Sequence, residues 1–316
     1  MPMSFEMSFE AFNTILLCLA AVVPVVILIA TRSDTWGVTT IERMSVRARL
    51  PIPSWDMWRS IRGRSRALLR ANMWGLLAGI VFVGGLFVWT PAGSSPFAMW
   101  LLTLTLLIGV LSIASTIVGV RERLFSPAPA APRIARAKAL QVRDYLPTWA
   151  ALLPAWLLAA AVLACALLAA MTSVGAIAPL SAIVAVAALA FAGLAAAACR
   201  VAEHRVLAQP QPASDTLELA WDDLFRVGAF VSLRMSAAMA AWLPLGLALT
   251  GIVYAAIGIG EPDVSRLFSL FPWFGIPFLQ VGYSLIDGRL PIRLYPEYLR
   301  PAAPAPAPAP IGGFPA

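Results

Sequence analysis

Seven stretches of the chain are apolar over about twenty residues each, the length a helix needs to cross ~30 Å of hydrocarbon. They cover residues 12–30, 73–90, 99–120, 149–171, 177–199, 235–258 and 267–286. Pro272 and Pro277 interrupt the last one. The pattern predicts an all-α fold, a polytopic transmembrane helix bundle of about seven spans, making one domain over residues 1–300. Residues 301–316 form a separate Pro/Ala-rich tail, predicted to be disordered and polyproline-like.

The polar positions between the spans give the bundle a direction. The first span follows MPMSFEMSFEAF, which holds Glu6 and Glu10 and no basic residue. A secretory signal has a basic start and a small-residue cleavage site, so a retained span with its amino terminus outside is predicted instead. Nine arginines lie between Arg32 and Arg70, five with Lys138 between Arg121 and Arg143, four between Arg200 and Arg234, and three after the last span. Threading seven spans puts all four groups on one side and leaves only Arg266 on the other. Basic loops stay in the cytoplasm, so the topology is N-out/C-in. Trp74, Trp89, Trp100 and Trp149 fall at span ends, where amphipathic rings meet headgroups. The outside turns, 91–97, 172–176 and 259–265, are too short to form an external binding domain.

Composition agrees with this layout. The chain is 60% hydrophobic and 12% charged, with a net charge of +7, whereas soluble domains carry roughly 25% charged residues. Almost all the positive charge is arginine, with Lys138 the sole lysine. Together with the many alanines and prolines this points to a GC-rich bacterial genome and to the bacterial plasma membrane. The cytoplasmic bias accounts for the basicity without nucleic acid. Cys18, Cys165 and Cys199 have no CxxC or metal spacing and read as small packing residues.

Two cytoplasmic segments carry patterns of their own. Residues 53–72 are predicted to form a short amphipathic helix on the membrane surface. Arg59, Arg62, Arg66 and Arg70 would face anionic lipid headgroups, each worth about 1 kcal/mol near the surface. A Pro/Ala linker, 126–132, leads to a second basic helix over 134–143. Between Arg205 and Phe230 the chain reads RVLAQPQPASDTLELAWDDLFRVGAF. Asp215 and Glu218 have capping spacing, and Leu217, Trp221, Leu224, Gly228 and Val231 share one face. Asp222 and Arg226 are spaced to pair. Asp222, Asp223 and Arg226 are the candidate docking residues for a protein partner, as a charged rim on a cytoplasmic helix. The linker Gln209-Pro210-Gln211-Pro212 and the run Trp221-Asp222-Asp223-Leu224-Phe225-Arg226 resemble those of a group of uncharacterised actinobacterial multi-pass membrane proteins. The resemblance implies topology and carries no activity.

Signals for chemistry are sparse. No ionisable residue falls well inside any of the seven spans. Gln280, with Pro272 and Pro277 breaking the seventh span, forms a candidate intramembrane polar site, because discontinuous helices can expose backbone groups to a solute. His204 stands alone, and no HExxH, P-loop or dinucleotide fingerprint occurs. Consecutive helical positions such as Asp222 and Asp223 point apart, so they do not readily converge on one substrate atom. No metal and no cofactor is expected. Gly75 and Gly79, and the alanine runs of the fourth and fifth spans, predict close helix packing. The pattern does not choose between a monomer's bundle and a homo-oligomer. The expectation is a non-catalytic integral membrane protein, an accessory, scaffold or permease-type subunit. The alternative is a self-contained transporter of a neutral or lipophilic solute.

Overall fold

A computed structural model describes residues 9–33, 37–89, 140–175, 177, 179–211, 213–257 and 271–300. Its elements are helical: α1 (Phe9–Ala30), α2 (Val38–Ala48), α3 (Trp55–Trp89), α4 (Val142–Tyr145), α5 (Thr148–Ser173), α6 (Pro179–Ala208), α7 (Thr216–Ile257) and α8 (Phe271–Ser284), followed by two short 3-10 turns. The expected span 99–120 and the segment 126–139 lie outside the described residues.

Helix α7 is the axis of the bundle, and α5, α6 and α8 pack around it while α1 packs on α3. Pro147 lies just before α5 in extended backbone, where its missing N–H costs nothing. At the far end of α5, Gly175 takes a φ of 76°, the left-handed geometry that glycine supplies past a helix end. The α5–α6–α7 contact is built from small side chains with a few leucines, Leu168, Leu245 and Leu247, among them. Ala161, Ala185, Ala192 and Ala248 are fully buried, while Leu163, Trp156, Ile183 and Leu194 point outward. Small inside and large apolar outside is the arrangement for a lipid surround, where helices gain nothing by hiding leucine and approach closely through alanine. Thr148–Ser173, Ser181–Ala208 and Thr216–Ile257 are three helices long and apolar enough to cross a membrane. The protein is a membrane helical bundle on that basis.

The structure departs from the sequence-based expectation at two joints. Residues 53–72 do not form a separate helix: from Trp55 the chain is helical without a break through the apolar run to Trp89. The acidic helix after Asp215 likewise runs on into the apolar run 235–257 as one helix of 42 residues, about 63 Å long. No proline stands at either joint, and an unbroken backbone ladder costs less than an interruption that would orphan four donors and four acceptors. A third departure concerns α8, which is continuous across Gly275 and Pro277. Pro272 falls in its first turn, where helices tolerate proline. Gly275 is needed for contact, since a methyl there would overlap the Trp242 indole of α7.

Candidate functional site: charged clusters at the arginine-rich end

The linker before α7 and the first turns of α7 form one polar knot. The Asp215 carboxylate accepts from the Glu218 N–H at 2.7 Å. The Glu218 carboxylate in turn accepts from the Ser214 N–H and hydroxyl, both at 2.7 Å. This fixes α7's start, and the next turn carries Trp221, Asp222 and Asp223. Trp221 is fully buried and its indole N–H donates to the Pro51 carbonyl, 3.1 Å, fastening α7 to the segment before α3.

Asp222, Asp223 and Arg226 are not a solvated rim. They are 9%, 0% and 5% exposed, and their partners come from their own chain. Arg226 Nε donates to Asp222 Oδ2 at 3.0 Å and a terminal nitrogen donates to the Gln209 carbonyl at 2.8 Å. Arg64 of α3 is ion-paired to the other Asp222 oxygen at 3.8 Å. The Tyr145 hydroxyl of α4 donates to Asp223 at 3.1 Å. The Gln211 amide donates to Asp222 at 2.9 Å and to Asp223 at 2.8 Å. The expectation that these consecutive carboxylates do not converge on one atom is corrected: the Gln211 amide nitrogen lies within 2.9 Å of an oxygen of each. The expectation of a charged rim is corrected: Asp222, Asp223 and Arg226 lie beneath α3, α4 and the 209–211 linker.

The formal charges of Asp222, Asp223, Arg64 and Arg226 cancel. Burying them is costly, and the charge-assisted hydrogen bonds offset that cost only while every member is present. The cluster is therefore a clamp that ties four segments together, all or none.

A second buried pair, which sequence reasoning missed, lies higher on α7. Arg234 ion-pairs with Glu203 of α6, its Nε 2.6 Å from Oε1, while its terminal nitrogens donate to Glu203 Oε2 and to the Ala151 carbonyl of α5, both at 2.8 Å. Beside it the Tyr283 hydroxyl of α8 donates to the Ala150 carbonyl at 2.9 Å. The available signal was that Arg234 interrupts a long apolar α7 face, and such a charge needs a partner on a neighbouring helix.

The arginines of α3 divide. Arg70 donates to the Thr31 hydroxyl at 3.2 Å and to the Thr31 carbonyl at 3.3 Å. Arg66 and Arg62 both donate to the Ser33 carbonyl. Three of the four arginines assigned to lipid headgroups thus satisfy carbonyls at the carboxyl end of α1, where the helix dipole also favours a cation. Arg59 is exposed, beside Asp56 and the Trp55 ring.

The candidate polar site of α8 is described only in part. Gln280 and Pro277 face outward, while the side chain of Pro272 lies outside the described residues. What α8 does form with α5 and α7 is an apolar groove of about 240 Å³, between Trp149, Leu157, Trp242, Phe278 and Leu279, with Gly275 and Gly282 as its floor. Among the described residues, no group of three or more His, Cys, Asp or Glu side chains could hold a metal ion. No family model matches the chain, and neither a curated protein nor a solved structure matches it.

Proposed function

We propose that the chain is a non-catalytic subunit or scaffold of a membrane complex, with its arginine-rich end in the cytoplasm as a rigid platform. The observation that carries this reading is the saturation of Asp222 and Asp223 by donors of their own chain. Carboxylates held this way brace helices; they are not poised to exchange protons with a substrate. The cytoplasmic boundary of the spans falls near Arg70 on α3, bonded to Thr31, and near the Glu203–Arg234 pair on α6 and α7. Beyond it Arg64 of α3 pairs with Asp222 of α7, and Trp55 stands fifteen residues before Arg70, or ~22 Å along the axis. The seven-span, N-out/C-in layout belongs to the same proposal, as does the bacterial plasma membrane.

Cross-linking in native membranes, then mild solubilisation and mass spectrometry, tests it. A stoichiometric protein partner cross-linked to residues on the arginine-rich end is expected. A chain that emerges alone and monomeric under every mild condition sinks the proposal.

The groove between α5, α7 and α8 favours a second reading, binding or transport of a lipophilic solute. Aromatic walls and a glycine floor suit an apolar guest. A Gly282→Leu variant would fill the groove, and loss of solute-dependent thermal stabilisation in that variant is the outcome this reading requires.

A further inference from the structure

The groove between α5, α7 and α8 runs inward from the edge of the membrane. Trp149, in the first turn of α5, has its ring centroid 5.9 Å from that of Tyr283 of α8. Since α5 is long and apolar enough to span, this pair marks the level of a span end, where amphipathic rings meet headgroups. From there the groove passes Leu153 to reach Leu157, eight residues or ~12 Å along α5. Its outer rim is open, with Trp149 49% and Phe278 75% exposed. An apolar slot that follows the helices and opens sideways has the direction of an acyl chain. At about 240 Å³ it holds a stretch of one chain.

A cation stands at the headgroup end of this slot. One residue past Tyr283, the Ser284 carbonyl accepts from Arg47 of α2 at 2.5 Å. The stem of Arg47 lies against Gly288, which turns the chain with a φ of 72°, and a methyl on Gly288 would come within 3.2 Å of Arg47 Cδ. Arg47 is thereby fastened to the end of α8, and its planar guanidinium has further N–H donors besides the one that Ser284 takes. Asp287 is a carboxylate within its electrostatic reach, and the exposed Arg289 follows two residues later. Two arginines against one carboxylate leave this span end with positive charge in excess.

Slot and cation together fit an amphiphile with an apolar tail and an anionic head. Arginine holds phosphate through parallel charge-assisted N–H···O bonds. A headgroup that also carries an ammonium brings a like charge towards Arg289, whereas phosphatidylglycerol does not. We infer that the groove binds an anionic phospholipid of the surrounding bilayer, with part of one acyl chain between Trp149 and Trp242 and the phosphate on Arg47. The inference rests on the groove reading above and names its guest. Which leaflet supplies the lipid does not enter.

The test is native mass spectrometry of the full-length chain after mild solubilisation, with phosphatidylglycerol and phosphatidylcholine of equal chains in competition. A single retained lipid, with phosphatidylglycerol preferred about tenfold, is expected for the wild type. Arg47→Gln should abolish the preference and leave phosphatidylcholine binding in place. That change also removes the bond to Ser284, so Arg289→Gln is its companion. It keeps the bond and should lower the preference about fivefold. Gly282→Leu fills the groove and should expel both lipids alike. Glycerol 1-phosphate, a headgroup without a chain, should displace neither. A preference unchanged in both arginine variants, or displacement by glycerol 1-phosphate, overturns the inference. If Gly282→Leu removes the lipid while both arginine variants keep the preference, the groove reading stands and the anionic guest falls. A Gly282→Leu chain that retains its lipid ends both.

Discussion

The two halves of α7 are held by opposite means. From Met235 onward its neighbours meet it through small residues such as Ala185 and Ala248, both fully buried, with Leu168, Leu245 and Leu247 set among them and Leu163, Ile183 and Leu194 exposed. Between Leu217 and Arg234 it is held by aromatic burial, as with Trp221 and Phe230, and by charged groups locked in internal bonds. The apolar half draws its cohesion from close approach and dispersion, which survive a lipid surround. The arginine-rich half resembles a water-soluble core with ion pairs set into it, so it also uses the hydrophobic effect. One continuous helix thus passes through two packing regimes, and Glu203–Arg234 marks the change.

If that division is right, the largest effects come from removing one partner of a buried charge. Asp222→Ala leaves Arg226 and Arg64 without their carboxylate, and a loss of about 3–5 kcal/mol is expected. Replacing Asp222 and Arg226 together by leucine should recover much of it, because no unpaired charge remains between those two. Thermal unfolding in detergent reads both. A double variant no better than Asp222→Ala would mean that the cluster stabilises through its bonds and is not merely self-consistent.

The next effect belongs to the apolar half. Ala185→Leu places a larger side chain where the helices touch, and a loss of about 1–3 kcal/mol is expected from overpacking. Leu163→Ala, at an outward position, should change the melting point little in detergent. Reversal of this order, with the outward leucine the more sensitive, would move the contact to the other face of α5.

A smaller effect tests how α3 caps α1. Arg66→Ala removes one donor to the Ser33 carbonyl, and a loss of about 0.3–1 kcal/mol is expected at a helix carboxyl end. Global melting hardly registers that amount. Hydrogen exchange of the last turn of α1 should accelerate while α7 stays protected. Unchanged exchange there would return Arg66 to the lipid surface.

The apolar pattern made most of the helices legible. Spans 149–171 and 235–258 match α5 and the second half of α7 within a few residues. Continuity was not legible, because a change from basic or acidic to apolar residues reads as a boundary although the backbone meets no breaker at residue 72 or 234. The site was half legible. Asp222 and Arg226 were paired from their spacing, but Arg64 and Tyr145 lie far away in sequence and nothing local announces them. Placing the carboxylates on a solvated rim followed from reading 215–230 as a lone helix. A helix with α3 and α4 laid against it buries the same residues. The Gln211 bridge was invisible for a related reason, since a linker amide shows its role only when the linker folds back.

The last prediction separates the two halves by pH. Tyr295 lies after α8 in the arginine-rich half, and burial raises its phenol pKa above the ordinary 10.0, with Arg49 opposing the shift. The unfolded chain releases this proton first, so the stability held by the buried neutral phenol is fully present below pH 10.0. It declines as the pH climbs from there through the raised folded value. Tyr295→Phe removes the bond to the Ala48 carbonyl, which costs about 0.5–1.5 kcal/mol at neutral pH. The same change also removes the titration. The gap in melting temperature between wild type and Tyr295→Phe should therefore narrow as the pH rises past 10.0. An apolar-half variant such as Ala185→Leu should keep a constant gap over the same range. A constant gap for Tyr295→Phe as well would mean that the phenol is not sealed from water, and that the last turns before the tail are not fastened to α2.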